Sequence, residues 1–177
     1  MYSITSIFDT NAKEFWKELE KNCEFSGLQK TTIPHFSWQT AESYEFKPIK
    51  EELSALSRSI QPFKFRTSGL GIFSNHRKIL FLIIVKDRDL LNLHQMIWEH
   101  TIQYAIQPNL HYSPESWIPH ISLNLNELTD DQFYCSVKEL TNLTLNFELE
   151  VKQLGLIFLT PTSSGIEVLY PLSRKGE

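Results

Sequence analysis

The chain has 177 residues, of which 41% are hydrophobic, 12% aromatic and 21% charged, and its formal net charge is −4. This composition excludes an intrinsically disordered protein and suits one domain, or two small lobes that share a core. The net charge disfavours a protein that holds long duplex nucleic acid, and favours a small anionic substrate or an RNA end. No apolar run approaches the roughly 18 residues of a membrane span, and the first residues lack the features of a signal peptide. We therefore expect a cytoplasmic protein with no membrane partner. We also expect a monomer.

Helical and strand-like patterns both recur along the chain. Thr129 with Gln132 three positions later is a capping-box signal, and Gly69 and Gly71 indicate a bulge or a close approach within a strand. In chain order, the predicted elements are a strand at 2–8, a helix at 11–23, a strand at 33–39, a helix at 48–60, strands at 63–67 and 79–85, a helix at 90–105, a strand at 117–125, a helix at 129–140, and strands at 143–151, 154–159 and 166–172. The closely spaced strands favour antiparallel sheets and an α+β fold.

Two short segments of the chain are nearly identical. Ile33-Pro34-His35-Phe36-Ser37 and Ile118-Pro119-His120-Ile121-Ser122 each place a histidine and a serine two positions apart in an apolar context. On a strand such residues share one face, about 6.6 Å apart. The motif alone is weak, because chance predicts about one His-x-Ser/Thr in a chain of this composition. A third copy, His111-Tyr112-Ser113, is followed by Pro114 without apolar alternation, and we interpret it as a loop.

The surroundings of the two motifs also repeat. Gly71 follows His35 by 36 positions, and Gly155 follows His120 by 35, each within an apolar stretch that a further strand pattern follows. This self-similarity predicts a duplication with one histidine in each lobe. We place the lobes at about 1–86 and 87–177 of a single domain.

Each candidate site residue has a structural alternative. A histidine in an apolar strand is often a satisfied core residue, and a serine hydroxyl often bonds the backbone. Gln39 and Asn124 continue the two faces at i+4, so they either line a cleft or pair between the lobes. Tyr112 and Trp117 either stack a base at the cleft or pack in the core or at its rim. The presence of two histidines at matching points of a duplicate, each with a hydroxyl on its face, favours a functional role for both.

The chain resembles the 2H phosphoesterase superfamily. The resemblance is carried by the paired motifs, by the duplication and by the stretch Trp117-x-Pro119-His120-x-Ser122-Leu123. That group includes the 2'-5' RNA ligase-like proteins and the cyclic nucleotide phosphodiesterases. The resemblance extends from Tyr2 to Leu172. It implies a bilobal, duplicated α+β fold, in which two antiparallel sheets with flanking helices surround a central cleft.

The resemblance also implies residue roles. His35 and His120 correspond to the catalytic positions, and Ser37 and Ser122 correspond to the positions that bind the substrate phosphate. The substrates it implies are 2',3'-cyclic phosphates, ADP-ribose 1'',2''-cyclic phosphate or 2'-5' linkages of a nucleotide or RNA end. Neither a metal ion nor another cofactor is implied.

Two hypotheses of different classes follow. In the first, the protein is a hydrolase in which one neutral and one protonated histidine act as base and acid, and the serines donate hydrogen bonds to the phosphate. Which histidine has which role stays open at this point. In the second, the same cleft holds nucleotides or RNA ends without catalysis. Replacing each histidine discriminates between them, because an enzyme loses turnover while a binding module loses only affinity.

Overall fold

The computed structural model describes residues 1–8, 35–74, 78–123, 128–160 and 163–173. These ranges contain eight strands and three α-helices. In chain order they are β1 (Tyr2–Phe8), β2 (His35–Tyr44), α1 (Phe46–Ser59), β3 (Phe63–Phe73), β4 (Ile79–Ile84), α2 (Arg88–Thr101), β5 (Ala105–Pro108), β6 (His120–Ser122), α3 (Asp130–Thr141), β7 (Glu148–Leu159) and β8 (Ser164–Pro171). The predicted α+β class is confirmed. None of the helices in these ranges is long and apolar enough to cross a lipid bilayer.

The strands form one antiparallel sheet that curls. Their order is β5-β2-β1-β7-β3-β4-β6, and β8 pairs with β7 on the same edge as β3. The sheet curls until β2, next to the terminal β5, approaches β6 at the opposite end, because residues of β2 and β6 come within 8 Å between Cα atoms. We call the place where β2 and β6 meet the seam. It brings together the two strands that begin with His35 and His120.

The two halves of the sequence exchange strands. The β3–β4 hairpin comes from the first half, and it pairs with β6 of the second half. The β7–β8 hairpin comes from the second half, and it pairs with β1, which in turn pairs with β2. A boundary near residue 86 therefore does not separate two sheets, and the division into sequential lobes stays a prediction.

Helix α1 packs against β7 and β8, and α2 packs against β2 and α1. Local signals explain why each helix begins where it does. In α1, Pro48 lies in the first turn, and Ile49, Leu53 and Leu56 form the buried stripe that periodicity predicts. The Asp87 side chain caps α2 by accepting a hydrogen bond from Leu90 N at 2.8 Å. Helix α3 begins with the capping box that the sequence predicts, formed by Thr129 and Gln132.

Several element boundaries differ from the predictions. Strand β2 extends to Tyr44 rather than to 39, and β3 extends to Phe73 rather than to 67. Helix α2 ends at Thr101 rather than at 105, because Ala105–Pro108 pairs as β5 with the end of β2. The segment 143–159 holds one strand from Glu148 rather than two, since its pairing with β1 continues from Val151 to Gln153 across a one-residue bulge. The second histidine strand is only three residues long within the described residues. The predicted helix at 11–23 lies outside them.

His94, on α2, is buried in the core. Its ring stacks on that of Trp117, with 3.9 Å between ring centres, and Trp117 stacks on Trp38 at 5.4 Å. We call these three residues the aromatic stack. His94 Nε2 lies 3.0 Å from Trp38 O and 3.1 Å from Tyr112 O, and because carbonyl oxygens only accept, Nε2 carries the proton. Burial lowers the pKa of His94 to about 4, so the ring is neutral at neutral pH.

We expect the stability of the protein to fall in acid because of His94. Its folded pKa of about 4 lies below the ordinary value of 6.5, so the unfolded chain binds an additional proton between these values. The contribution of His94 to the free energy of unfolding is fully present above pH 6.5. It falls as the pH decreases, so that the free energy of unfolding is lower by about 3 kcal/mol at pH 4. Urea unfolding of the wild type and of His94→Gln between pH 8 and pH 4 measures this, and the variant should lack that part of the loss.

The exposed histidine of the same helix is the control for this measurement. His100 pairs with Glu52 at 2.7 Å near the surface. His100→Gln keeps the buried ring, so it should retain the acid-dependent loss of the wild type. Equal pH slopes for the wild type and His94→Gln would contradict the assignment.

Candidate active site at the seam

The two motifs lie on strands and alternate as predicted. His35 and Ser37 of β2 are half-buried, and Phe36 between them is fully buried in the core. His120 and Ser122 of β6 are likewise half-buried, on either side of the buried Ile121. Each motif therefore presents a histidine and a serine on the less buried face of its strand. That both imidazoles contact one substrate stays a prediction.

A bulge in β2 ends this shared face at Ser37. In the pairing with β1, Gln39 lies opposite Ile4 and Ser37 lies opposite Thr5, so Trp38 is an additional residue in β2. Because directly paired residues share a face, the bulge turns Gln39 to the face opposite that of Ser37. Gln39 is fully buried there, and its Oε1 accepts a hydrogen bond from Tyr44. Gln39 therefore lies away from the face that carries Ser37, which favours a packing role over the alternative in which it lines the cleft.

Trp117 joins the two motifs from within the core. Its side chain is 1% exposed, so it belongs to the core alternative and not to the stacking one. Its indole Nε1 donates to the backbone oxygen of Ser37 at 3.0 Å. Trp117 thus connects the approach to β6 with the last residue of the first motif, and the stacking of its ring on Trp38 adds a second contact between them.

The hydrogen bonding of His120 fixes its tautomer. Nδ1 lies 2.7 Å from the backbone oxygen of Ile118, which can only accept, so Nδ1 carries the proton in the neutral ring. This leaves Nε2 as the atom that can take up or release a proton. Burial lowers the pKa of His120, and the hydrogen bond to Ile118 opposes that change.

Aromatic rings surround His120 on three sides. The ring centres of Phe73, Phe81 and Tyr112 lie 4.9, 5.2 and 6.4 Å from that of the imidazole. The placement of Phe81 depends on Gly71, since a Cβ there would lie 2.3 Å from the Phe81 ring. The close approach that the sequence indicates near Gly71 thus supports one wall of the candidate site.

Tyr112, a candidate cleft-lining residue, lies near His120, with 6.4 Å between their ring centres. It ends a 3₁₀ turn that begins at Leu110, and burial raises the pKa of its phenol to about 12, so the phenol is neutral at neutral pH. The neighbouring His111 is exposed, as expected of a chance copy of the motif.

Asn124 lies outside the described residues. Within those residues, no three His, Cys, Asp or Glu side chains gather as a metal-binding cluster.

Sequence reasoning does not find three neighbours of the motifs. Its patterns give no functional role to Phe73, Phe81 or Ser3. Ser3 Oγ lies 2.7 Å from Ser37 Oγ. The signal for Ser3 is its place in β1 next to β2, but identifying it requires the register of that pair, which the bulge alters. Phe81 would follow from the β3–β4 hairpin register, in which it pairs with Gly71.

Comparison with known proteins agrees with this fold. The family model described as the 2'-5' RNA ligase superfamily matches residues 8–159. No curated protein matches the chain at a significant level.

Solved structures share the architecture at low sequence identity. TT0787 of Thermus thermophilus has 15% identity and a TM-score of 0.62, with 97% of this chain and 98% of that chain covered. Escherichia coli LigT, solved in complex with ATP, has 14% identity and a TM-score of 0.59, with 98% and 100% covered. A structure described as a phosphoesterase has 14% identity and a TM-score of 0.57, with 97% and 99% covered. At these identities the likeness supports the fold alone.

We expect Trp117→Phe to destabilise the protein. Phenylalanine keeps an aromatic ring in the aromatic stack but cannot donate to Ser37 O, and loss of such a partly buried hydrogen bond costs about 1 kcal/mol. Equilibrium urea denaturation measures the loss. Trp98→Phe is the matched control, because Trp98 is half-buried on α2, where its ring packs at 6.4 Å from that of His94. Equal stabilities of the two variants would show that the Trp117 hydrogen bond does not hold the seam.

Proposed function

The chain belongs to the 2'-5' RNA ligase superfamily, and from that membership we propose that it is a metal-independent phosphodiesterase. Its proposed substrate is a 2',3'- or 1'',2''-cyclic phosphate, or a 2'-5' phosphodiester, of a nucleotide or RNA end. The observation that carries the proposal is the seam, where two His-x-Ser strands from distant parts of the chain meet and Trp117 joins them. The net charge of −4 favours such a small substrate over a long duplex, and we take the protein to act as a monomer.

The surroundings of His120 support the role of general base. Because burial lowers its pKa, the ring is largely neutral near pH 7 and can accept a proton at Nε2. In hydrolysis of a cyclic phosphate, Nε2 takes a proton from the attacking water while the bond from phosphorus to the leaving ribose oxygen breaks. His35, in its protonated form, then donates a proton to that oxygen. In the reverse direction the two histidines exchange these roles.

Ser37 and Ser122 are proposed to stabilise the charge that develops on the phosphoryl oxygens. Each is half-buried and shares a face with its histidine, so its hydroxyl can donate to a non-bridging phosphate oxygen. Tyr112 lies beside His120 as a neutral phenol, and so it adds no negative charge that would repel the phosphate.

Replacing either histidine should abolish most turnover. We expect His35→Ala and His120→Ala each to lower kcat by about 10²- to 10⁴-fold, the usual contribution of a general acid or base. Steady-state hydrolysis of adenosine 2',3'-cyclic phosphate measures this, with ligand affinity followed by calorimetry. A non-catalytic binding module would show no turnover in the wild type and only weakened affinity in the variants.

The third His-x-Ser copy supplies the control for these variants. His111 is exposed and lies in the 3₁₀ turn rather than on β2 or β6. His111→Ala should leave kcat within about threefold of the wild type, since it removes neither acid nor base. Loss of activity in His111→Ala with retention in His35→Ala would refute the motif assignment.

Activity should survive a chelator and follow a bell-shaped pH profile. The acid limb is assigned to His120, whose pKa is lowered, so kcat falls only as the pH decreases below about 6.5. The alkaline limb is assigned to His35, which must stay protonated to act as the general acid. Rates measured between pH 4.5 and 9, with and without EDTA, check both expectations. A strict requirement for a divalent ion would contradict the proposal.

A further inference from the structure

The hydroxyl of Ser3 contacts the first motif from a neighbouring strand. Ser3 Oγ lies 2.7 Å from Ser37 Oγ, and Ser3 is fully buried while Ser37 is half-buried. In the register of β1 and β2, Thr5 lies opposite Ser37, so Ser3, two positions from Thr5, is on the same face as Ser37. A ligand can therefore contact the Ser37 hydroxyl, whereas the hydroxyl of Ser3 reaches a ligand only through Ser37.

The two hydroxyls have two hydrogen-bond arrangements. Each carries one proton, and Ser3 Oγ has a second acceptor in the backbone oxygen of Gln39, at 3.3 Å. In one arrangement Ser37 donates to Ser3, and Ser3 donates to Gln39 O. In the other, Ser3 donates to Ser37, and the proton of Ser37 is available to an external acceptor. An anionic oxygen beside Ser37 favours the second arrangement, because it accepts that proton and because chained hydrogen bonds strengthen one another.

We propose that Ser3 is a positioning residue that acts through Ser37, holding its hydroxyl with the proton directed at a phosphate oxygen of the ligand. The proposal rests on the function proposed for the seam. It assigns β1, which carries no motif, a part in phosphate recognition. Loss of the Ser3 hydroxyl leaves Ser37 free to rotate and weakens its hydrogen bond to the phosphate.

A second serine of β1 is a matched control. Ser6 is also fully buried, and its Oγ accepts a 2.7 Å hydrogen bond from the indole Nε1 of Trp38. It lies opposite Phe36 in the strand register and therefore on the core face of β1. Ser6→Ala removes the same hydroxyl from the same strand, but from a bond that belongs to the core. A purely structural role for both residues predicts that stability and activity change together in both variants.

The test is a double-mutant cycle between Ser3→Ala and Ser37→Ala. Hydrolysis of adenosine 2',3'-cyclic phosphate gives kcat and KM, and calorimetry gives the affinity for adenosine 2'-monophosphate. In the wild-type background, Ser3→Ala should lower kcat/KM and the affinity by about 3- to 10-fold, the range of one hydrogen bond. In the Ser37→Ala background it should change neither by more than about 1.5-fold, because a residue that acts through Ser37 has nothing left to position. Ser6→Ala should lower the midpoint of urea unfolding while kcat/KM stays within about twofold.

The outcomes separate this proposal from the proposed function. If the wild type turns over and depends on His35 and His120, but Ser3→Ala has no effect or the same effect in both backgrounds, the positioning role is overturned and the function stands. If the wild type binds adenosine 2'-monophosphate without turnover, and the cycle in affinity shows the predicted coupling, the positioning role stands and the catalytic function fails. A wild type that neither binds nor turns over overturns both.

Discussion

The hydrogen bond from Trp117 Nε1 to Ser37 O joins β2 to the approach to β6, two parts of the sheet that share no strand ladder in the described part of the chain. Curling alone brings β2 and β6 near each other, but side chains must fix how they meet. The aromatic stack does this on the core side, since His94 donates to the backbone of Trp38 and of Tyr112, one near each motif. The candidate site therefore depends on core packing directly behind it, and its geometry is set by residues that contact no substrate.

Much of this arrangement could be predicted from local patterns. Period-two alternation predicts that His35 shares a strand face with Ser37, and His120 with Ser122. The structure agrees, because these residues are half-buried while the residue between each pair is buried. The duplicated spacing relates the two motifs to each other, since equivalent glycines follow both histidines at nearly equal distances. Capping at Thr129 and the apolar stripe of α1 are equally local, and the structure confirms both helices. Features that depend on a few neighbouring residues are those that a sequence records most directly.

The remaining features depend on partners distant in sequence. Nothing in the residues around Trp38 marks it as the additional residue of a bulge, which follows from the pairing of β2 with β1 and turns Gln39 into the core. Ala105 has the spacing of a helix, yet its segment pairs with the edge of β2. The indole of Trp117 suits a stacking surface as well as a core, and only the position of Ser37 O decides between them. Tertiary pairing overrides the local preference at each of these positions.

The exchange of strands between the halves of the sequence bears on how the chain folds during its synthesis. When the ribosome has made β1 to β4, the pairs that the described residues form among these strands are β1–β2 and β3–β4, and two-stranded pieces of this kind are marginal in water. Strand β7 is what connects them, because it pairs with β1 on one edge and with β3 on the other. Both histidine strands must therefore wait for residues 148–159 before the sheet closes around them. Until then the nascent chain exposes unpaired strand edges, the kind of surface that chaperones protect.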